Sequence, residues 1–203
     1  MSRAGIFSIH RHKIDEERLV KALLISLQHE REPVRFRTAQ LLSWMAHPSI
    51  LNSLLKAYPD PSPRVQIYLI AALSQFDDPR SLNIRLEALK HSNDKISSQA
   101  AAGLSRSDNP QVIPALLKAI KKGGVNTRGN AIFTLNMKGA TVQEIRVKAD
   151  HPVLHIESVL VGYKIQLTPN SPWQEVRWEY QNEEGIELQL GEEFLRSDGV
   201  DHD

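Results

Sequence analysis

Leu42, Leu73, Leu104 and Leu135 stand 31 residues apart, and this spacing limits what the chain can become. Leu42-Ser43 is followed by His47-Pro48, Leu73-Ser74 by Asp78-Pro79, and Leu104-Ser105 by Asn109-Pro110. A weaker copy pairs Leu135-Asn136 with Ala140-Thr141. A fixed period of this length indicates a stack of similar units in place of one closed core.

Two amphipathic helices fit in each period. Residues 15–30 read as a helix with Asp15 as N-cap, Glu16 and Glu17 in the first turn, and Val20, Leu23, Leu24 and Leu27 inward. Glu32-Pro33 starts a second, about 33–45, with Val34, Ala39, Leu41 and Leu42 inward. His47-Pro48 starts a third, about 48–58, with Ile50, Leu51, Leu54, Leu55 and Tyr58 inward. Adding 31 carries Val34 to Val65, Ile96 and Thr127, and Ala39 to Ile70, Ala101 and Ile132. It carries Leu51 to Leu82 and Ile113, and Leu55 to Leu86 and Leu117. Subtracting 31 places Val20, Leu24 and Leu27 beneath Leu51, Leu55 and Tyr58, so the first helix is the second half of a repeat.

The punctuation has a mechanism. Asp78 and Asn109 can take an orphan backbone N–H at a helix start. Pro79 and Pro110 follow where a missing N–H costs nothing. Each repeat is then helix A, a turn, helix B and a loop. Asp60-Pro61-Ser62-Pro63, His91-Ser92-Asn93-Asp94 and Gly123-Gly124 supply the loops between repeats.

One such pair cannot bury its apolar faces alone, whereas stacked neighbours can. The expected fold is mainly α: a right-handed α-α superhelix of 31-residue repeats with a small C-terminal antiparallel β element. Two stretches resemble HEAT repeats, particularly the short HEAT-like repeats of the phycobilisome-lyase type. They are Val34-Arg35-x-x-Thr38-Ala39-x-x-Leu42 and Asn109-Pro110-x-Val112-Ile113-Pro114-x-Leu116-Leu117-x-Ala119-Ile120. The resemblance covers about residues 17–140 and implies an armadillo-like α-solenoid whose B helices line its concave side.

The period fails after about 140. Thr141-Val142-Gln143-Glu144 has capping-box spacing, yet Glu144, Lys148 and His151 fall where earlier repeats carry Ile113, Leu117 and Ile120. The segment is either a degenerate capping helix or a strand. Apolar residues alternate at 159–167, again at Val176, Trp178 and Tyr180, and again at Ile186, Leu188 and Leu190. The expected organisation is a flexible arm at 1–14 and a solenoid at 15–150. A β meander at 151–190 packs on the solenoid end, and an acidic tail occupies 191–203.

Charge is unevenly spread under a net +1. Residues 140–203 hold five Lys/Arg against thirteen Asp/Glu, a balance of −8, and residues 1–139 hold twenty against eleven, a balance of +9. A basic body suits an acidic partner, including the chain's own acidic C-terminal tail. No run approaches the ~18–20 apolar residues of a membrane span. The first seven residues lack a secretory pattern, so a cytoplasmic protein without a membrane partner is expected.

The residues offer little for catalysis. Zero cysteines exclude disulfides, thiol catalysis and Cys-ligated zinc. There is no glycine-rich phosphate loop, His-Glu-x-x-His or nucleophile elbow. His10-Arg11-His12 reads as a solvated arm, and His151 and His155, with Pro152 between them, as exposed or capping residues. His29 and His91 share a repeat column with Asp60 and Lys122, which reads as a solvated loop. No catalytic residue, metal or cofactor is expected.

The candidate site comes from the face of each B helix opposite its core stripe. That face reads Arg18, Lys21, Ile25, Gln28; then Ser49, Asn52, Lys56, Pro59; then Arg80, Asn83, Glu87, Lys90; then Gln111, Pro114, Lys118, Lys121. Seven of these residues are basic and one is acidic. The family resemblance turns this face into a basic groove built from Arg18, Lys21, Asn52, Lys56, Arg80, Asn83, Lys90, Lys118 and Lys121. Trp44, near the first A–B turn, either anchors a partner or covers the N-terminal end of the core. Arg85 stands where Leu54 and Leu116 stand in other repeats, and is expected to snorkel to solvent.

These readings favour a non-catalytic protein–protein interaction scaffold that binds an acidic partner segment. The alternative is nucleic-acid binding by the same groove, including an enzyme of the HEAT-like DNA-glycosylase kind. A bilin lyase or related chromophore role follows from the repeat resemblance alone.

Overall fold

A computed structural model describes residues 16–150, 158–177 and 189–197. The expected arm at 1–14, both His151 and His155, and the alternating residues Trp178, Tyr180, Ile186 and Leu188 lie outside the described residues. The chain divides into two compact units, 1–76 and 77–203.

In the first unit α1 (Glu16–Ser26) precedes α2 (Glu32–Leu42). A 3-10 turn (Pro48–Ile50) runs into α3 (Leu51–Ala57), and α4 (Pro63–Leu73) completes the unit. Helix α2 packs on α1 and α4, and α3 packs on α4. Val20, Leu23, Leu27, Ala39, Ile50, Leu54, Val65, Leu69 and Ile70 form the buried core, as the helical period requires. Phe36 meets Tyr68 edge-on with ring centroids 5.3 Å apart, and the Arg64 guanidinium stacks 4.3 Å over the Phe36 ring.

The second unit carries α5 (Pro79–Ala88), α6 (Asp94–Gly103), α7 (Val112–Lys122) and α8 (Val125–Met137). Four strands follow: β1 (Thr141–Asp150), β2 (Ser158–Gln166), β3 (Gln174–Arg177) and β4 (Gln189–Ser197). Helix α6 packs on α5 and α8, and α7 packs on α8. The A helices are therefore α2, α4, α6 and α8, and the B helices are α1, α3, α5 and α7. The four spacing leucines, Leu42, Leu73, Leu104 and Leu135, are all completely buried.

Two columns of loop residues share one geometry. His47 accepts a hydrogen bond from Ser49 N, Asp78 from Arg80 N, and Asn109 from Gln111 N. Before the A helices, His29 accepts from Arg31 N, Asp60 from Ser62 N, and His91 from Asn93 N. Each column tolerates His beside Asp or Asn because all of them offer a side-chain acceptor to the amide two residues ahead.

The helical array ends at a glycine. Gly139 has φ +86° and follows the last turn of α8. Gly139 N donates to Asn136 O at 2.9 Å and Ala140 N to Leu135 O at 3.0 Å. This pair of bonds is a Schellman stop, and the left-handed backbone it needs favours glycine.

The structure corrects three expectations about the fold. Thr141–Asp150 is a strand, so the sheet begins at 141 and not after 150. Val142 and Ile145, three residues apart, are both buried, and the β1–β2 register slips beside Ile145. That irregularity hides the two-residue period by which a strand is read. The sheet order is β3-β2-β1-β4, so the last strand pairs with β1 and does not continue a meander. Part of the expected acidic tail is strand β4 itself. Strand β1 contacts α8 and β3 contacts α7, which places the sheet in the same unit as the last four helices.

Two further corrections concern single side chains. Leu41 is exposed: its counterpart Thr134 in α8 turns toward the preceding A helix, α6, by a bond to Ala101 O, and no A helix precedes α2 among the described residues. Arg85 does not reach solvent: it is 2% exposed. Its Nη1 donates to Gly103 O at 2.7 Å and its Nε to Ser81 O at 3.2 Å.

Candidate functional site

All sixteen residues of the outer B-helix columns are exposed. In the first unit α1 presents Arg18 and Lys21, and α3 presents Asn52 and Lys56. In the second unit α5 presents Arg80 and Asn83, Lys90 follows at its end, and α7 presents Lys118 and Lys121.

The charges are not equivalent. Arg80 folds back on the residue that caps its own helix: its Nε lies 3.0 Å from Asp78 Oδ1 and its Nη2 2.9 Å from Asp78 Oδ2. The Arg80 hydrogen bond pulls the Asp78 carboxyl down to about 2. Lys90 pairs with Glu87 at 2.8 Å. Arg18, Lys21, Lys56, Lys118 and Lys121 make no ion pair among the described residues. The basic character of the face therefore rests on α1 and α3 in one unit and on α7 in the other, while α5 is largely self-neutralised.

A cleft of about 250 Å³ that the repeat pattern does not signal lies between α1 and α3. Leu24 and Leu27 of α1 and Ser53 and Ala57 of α3 line it, with Gln28 and Lys56 from the expected face. Arg35 and Asp60 also line it. Arg35 Nε approaches Asp60 Oδ2 at 2.6 Å, and Arg35 Nη1 donates to the His29 and Glu30 carbonyls at 2.9 and 2.7 Å. The hydrogen bond to Asp60 raises the Arg35 pKa against the cost of burial. Asp60 is buried, so its column is not a uniformly solvated loop as the sequence suggested. The available signal was Arg35 itself, a long cation with five donors placed one helical turn after the loop that Asp60 must match.

Trp44 is 71% exposed and so does not cover the core. Gln75, one repeat later, donates to the Ser43 carbonyl beside it at 2.7 Å and fixes the turn that carries the indole. Among the described residues no cluster of three or more His, Asp or Glu could hold a metal ion, and no helix is long and apolar enough to cross a membrane.

A family model for HEAT repeats matches residues 20–96 and again 51–136. The chain belongs to the HEAT-repeat family. The matched span includes every B helix from Val20 onward and ends inside α8, before the sheet. No curated protein matches this HEAT-repeat chain. Among solved structures, two engineered proteins are similar to it. One is 16% identical over 59% of this chain and 63% of its own, with a TM-score of 0.47. The other is 16% identical over 58% and 61%, with a TM-score of 0.45. The chain thus spans less than two thirds of each.

Proposed function

We propose that this HEAT-repeat chain is a non-catalytic interaction scaffold that holds an acidic segment of a partner protein on its outer B-helix faces. The observation that carries this reading is the set of five exposed cations without an ion pair among the described residues: Arg18, Lys21, Lys56, Lys118 and Lys121. Lys56 and Lys118 share one repeat column, two steps apart, and Arg18, Lys21 and Lys121 each stand in another of the four outer columns. Exposed surface pairs are worth only ~0.2–1 kcal/mol each, so binding needs several at once. The cleft between α1 and α3 adds an apolar seat for one side chain of the bound segment, with Lys56 at its rim. Asn52 and Asn83 supply amide donors and acceptors on the same faces.

The proposed partner is a soluble protein, and the proposed compartment is the cytoplasm. The test is peptide display against the full chain, repeated on Lys56→Glu with Lys118→Glu. Enrichment of acidic peptides that the double variant rejects supports the reading. Recovery of peptides with no acidic bias ends it.

Nucleic-acid binding by the same cations is the second reading. The sixteen outer-face positions hold no aromatic residue on which a base could stack. A gel shift at low salt with single- and double-stranded DNA decides between the two. The chromophore-handling role has no residue of this chain in its favour.

A further inference from the structure

We propose that the outer flank of α8 is where two copies of this chain associate, about a two-fold axis through Gly129. The argument begins with how one A helix receives the next. In the first unit, Glu32 of α2 accepts from Ser62 at 3.0 Å, and Phe36 of α2 meets Tyr68 of α4. In the second unit, Asp94 of α6 accepts from Asn126 N at 3.0 Å, and Ser98 of α6 meets Asn130 of α8 at 2.7 Å. Two 31-residue steps carry Glu32 and Phe36 to Asp94 and Ser98. One step further they become Val125 and Gly129 of α8. The flank that accepts a following A helix thus exists on α8, but the chain continues into β1.

That flank is open and apolar. Val125 is 80% exposed, Phe133 58% and Met137 65%, and with Gly129 they recur every four residues. Gly129 is exposed at mid-helix, where glycine is unfavourable. A Cβ at Gly129 would meet nothing within 4 Å, so packing inside the chain gives no reason for the glycine. Close approach by another helix does.

The occupant is a second copy because the flank matches itself. Val125 and Phe133 lie four residues to either side of Gly129. An antiparallel two-fold sets Val125 of one copy against Phe133 of the other, with glycine facing glycine at the axis. A two-fold also doubles any charge near the axis, and Val125, Asn126, Gly129, Phe133, Asn136 and Met137 carry none.

Sedimentation velocity on the full chain, from low micromolar to near-millimolar concentration, tests this. The expected result is a monomer–dimer equilibrium that Phe133→Asp and Gly129→Gln each weaken by about ten-fold or more, with unchanged circular dichroism. The chain has no cysteine, so Gly129→Cys should cross-link to a single dimeric species on oxidation. A chain monomeric at every concentration overturns the proposal. So do species that grow beyond a dimer, which would mean head-to-tail stacking, and a dimer indifferent to both variants.

Discussion

Arg85 donates to the carbonyl oxygen of Gly103 at 2.7 Å, from one B helix to the last turn of the following A helix. That carbonyl belongs to a helix C-terminus, where a cation is favourable. Burial lowers the Arg85 pKa, and the charge of Asp77 partly restores it. The side chain occupies a position that is Leu54 and Leu116 in neighbouring repeats. Arg85→Ala should cost about 3 kcal/mol, since it opens a cavity and leaves Gly103 O without its donor. Arg85→Leu restores the leucine found in the other repeats and should cost about half as much. Thermal denaturation of both variants checks this, and a leucine as damaging as alanine would refute it.

The Arg35–Asp60 pair is set by bidentate geometry, and Asp60 also caps Ser62 N at 2.8 Å. Both side chains are largely buried, at 14% and 7% exposure. Asp60→Ala should destabilise the chain by about 3 kcal/mol, because it strands a guanidinium. Arg35→Met combined with Asp60→Ala should cost less than the sum of the single changes. Urea unfolding of the four-member cycle measures the coupling.

Asp94 gives a pH dependence with a definite sign. Burial opposes its charge, but hydrogen bonds from Thr127 and Asn126 prevail and hold the carboxyl below its ordinary value of 3.8. A depressed folded pKa means that its stabilisation is complete above pH 3.8 and is lost as pH falls through the lower, folded value. Asp94→Asn should flatten the stability profile in that acid window. Asp94→Ala should cost about 1–3 kcal/mol at neutral pH, since it removes an acceptor from several donors. Gly124 belongs to the same arrangement, because a Cβ there would strike the Asp94 carboxylate.

Salt should act unequally on the basic faces. Binding of an acidic peptide that depends on Lys56 and Lys118 should weaken steeply between low and physiological ionic strength, where the screening length shrinks to about 8 Å. Arg80→Ala and Lys90→Ala should change affinity less than Lys56→Ala or Lys118→Ala, since Asp78 and Glu87 already hold their charges. Fluorescence anisotropy with a labelled acidic peptide ranks the four variants.

The repeat was legible because its spacing leucines recur four times and its cap-proline pairs three times, and both are local signals. The columns from Val34 and Ala39 step onto Val65, Ile96, Thr127, Ile70, Ala101 and Ile132, all of them buried. What escaped depended on contacts that no period encodes. Leu41 is exposed because no A helix precedes α2 among the described residues. Arg85 looked like a surface cation because a single sequence does not show that Gly103 O stands within reach. The register slip of β1 against β2 obscures that strand, and Glu192 and Glu193 interrupt the alternation that would mark β4. The outer cations are exposed as expected, whereas the neutralisation of Arg80 and Lys90 depends on side-chain conformations that no spacing encodes.

Gly139 closes α8 with bonds that reach no further back than Leu135. The stop signal is therefore blind to how many repeats come before it. A 31-residue block added or removed upstream would leave the terminator and the first strand unaltered. In such a chain, length can vary by whole modules while the sheet that finishes it stays the same, so the end of the array and its size are free to evolve separately.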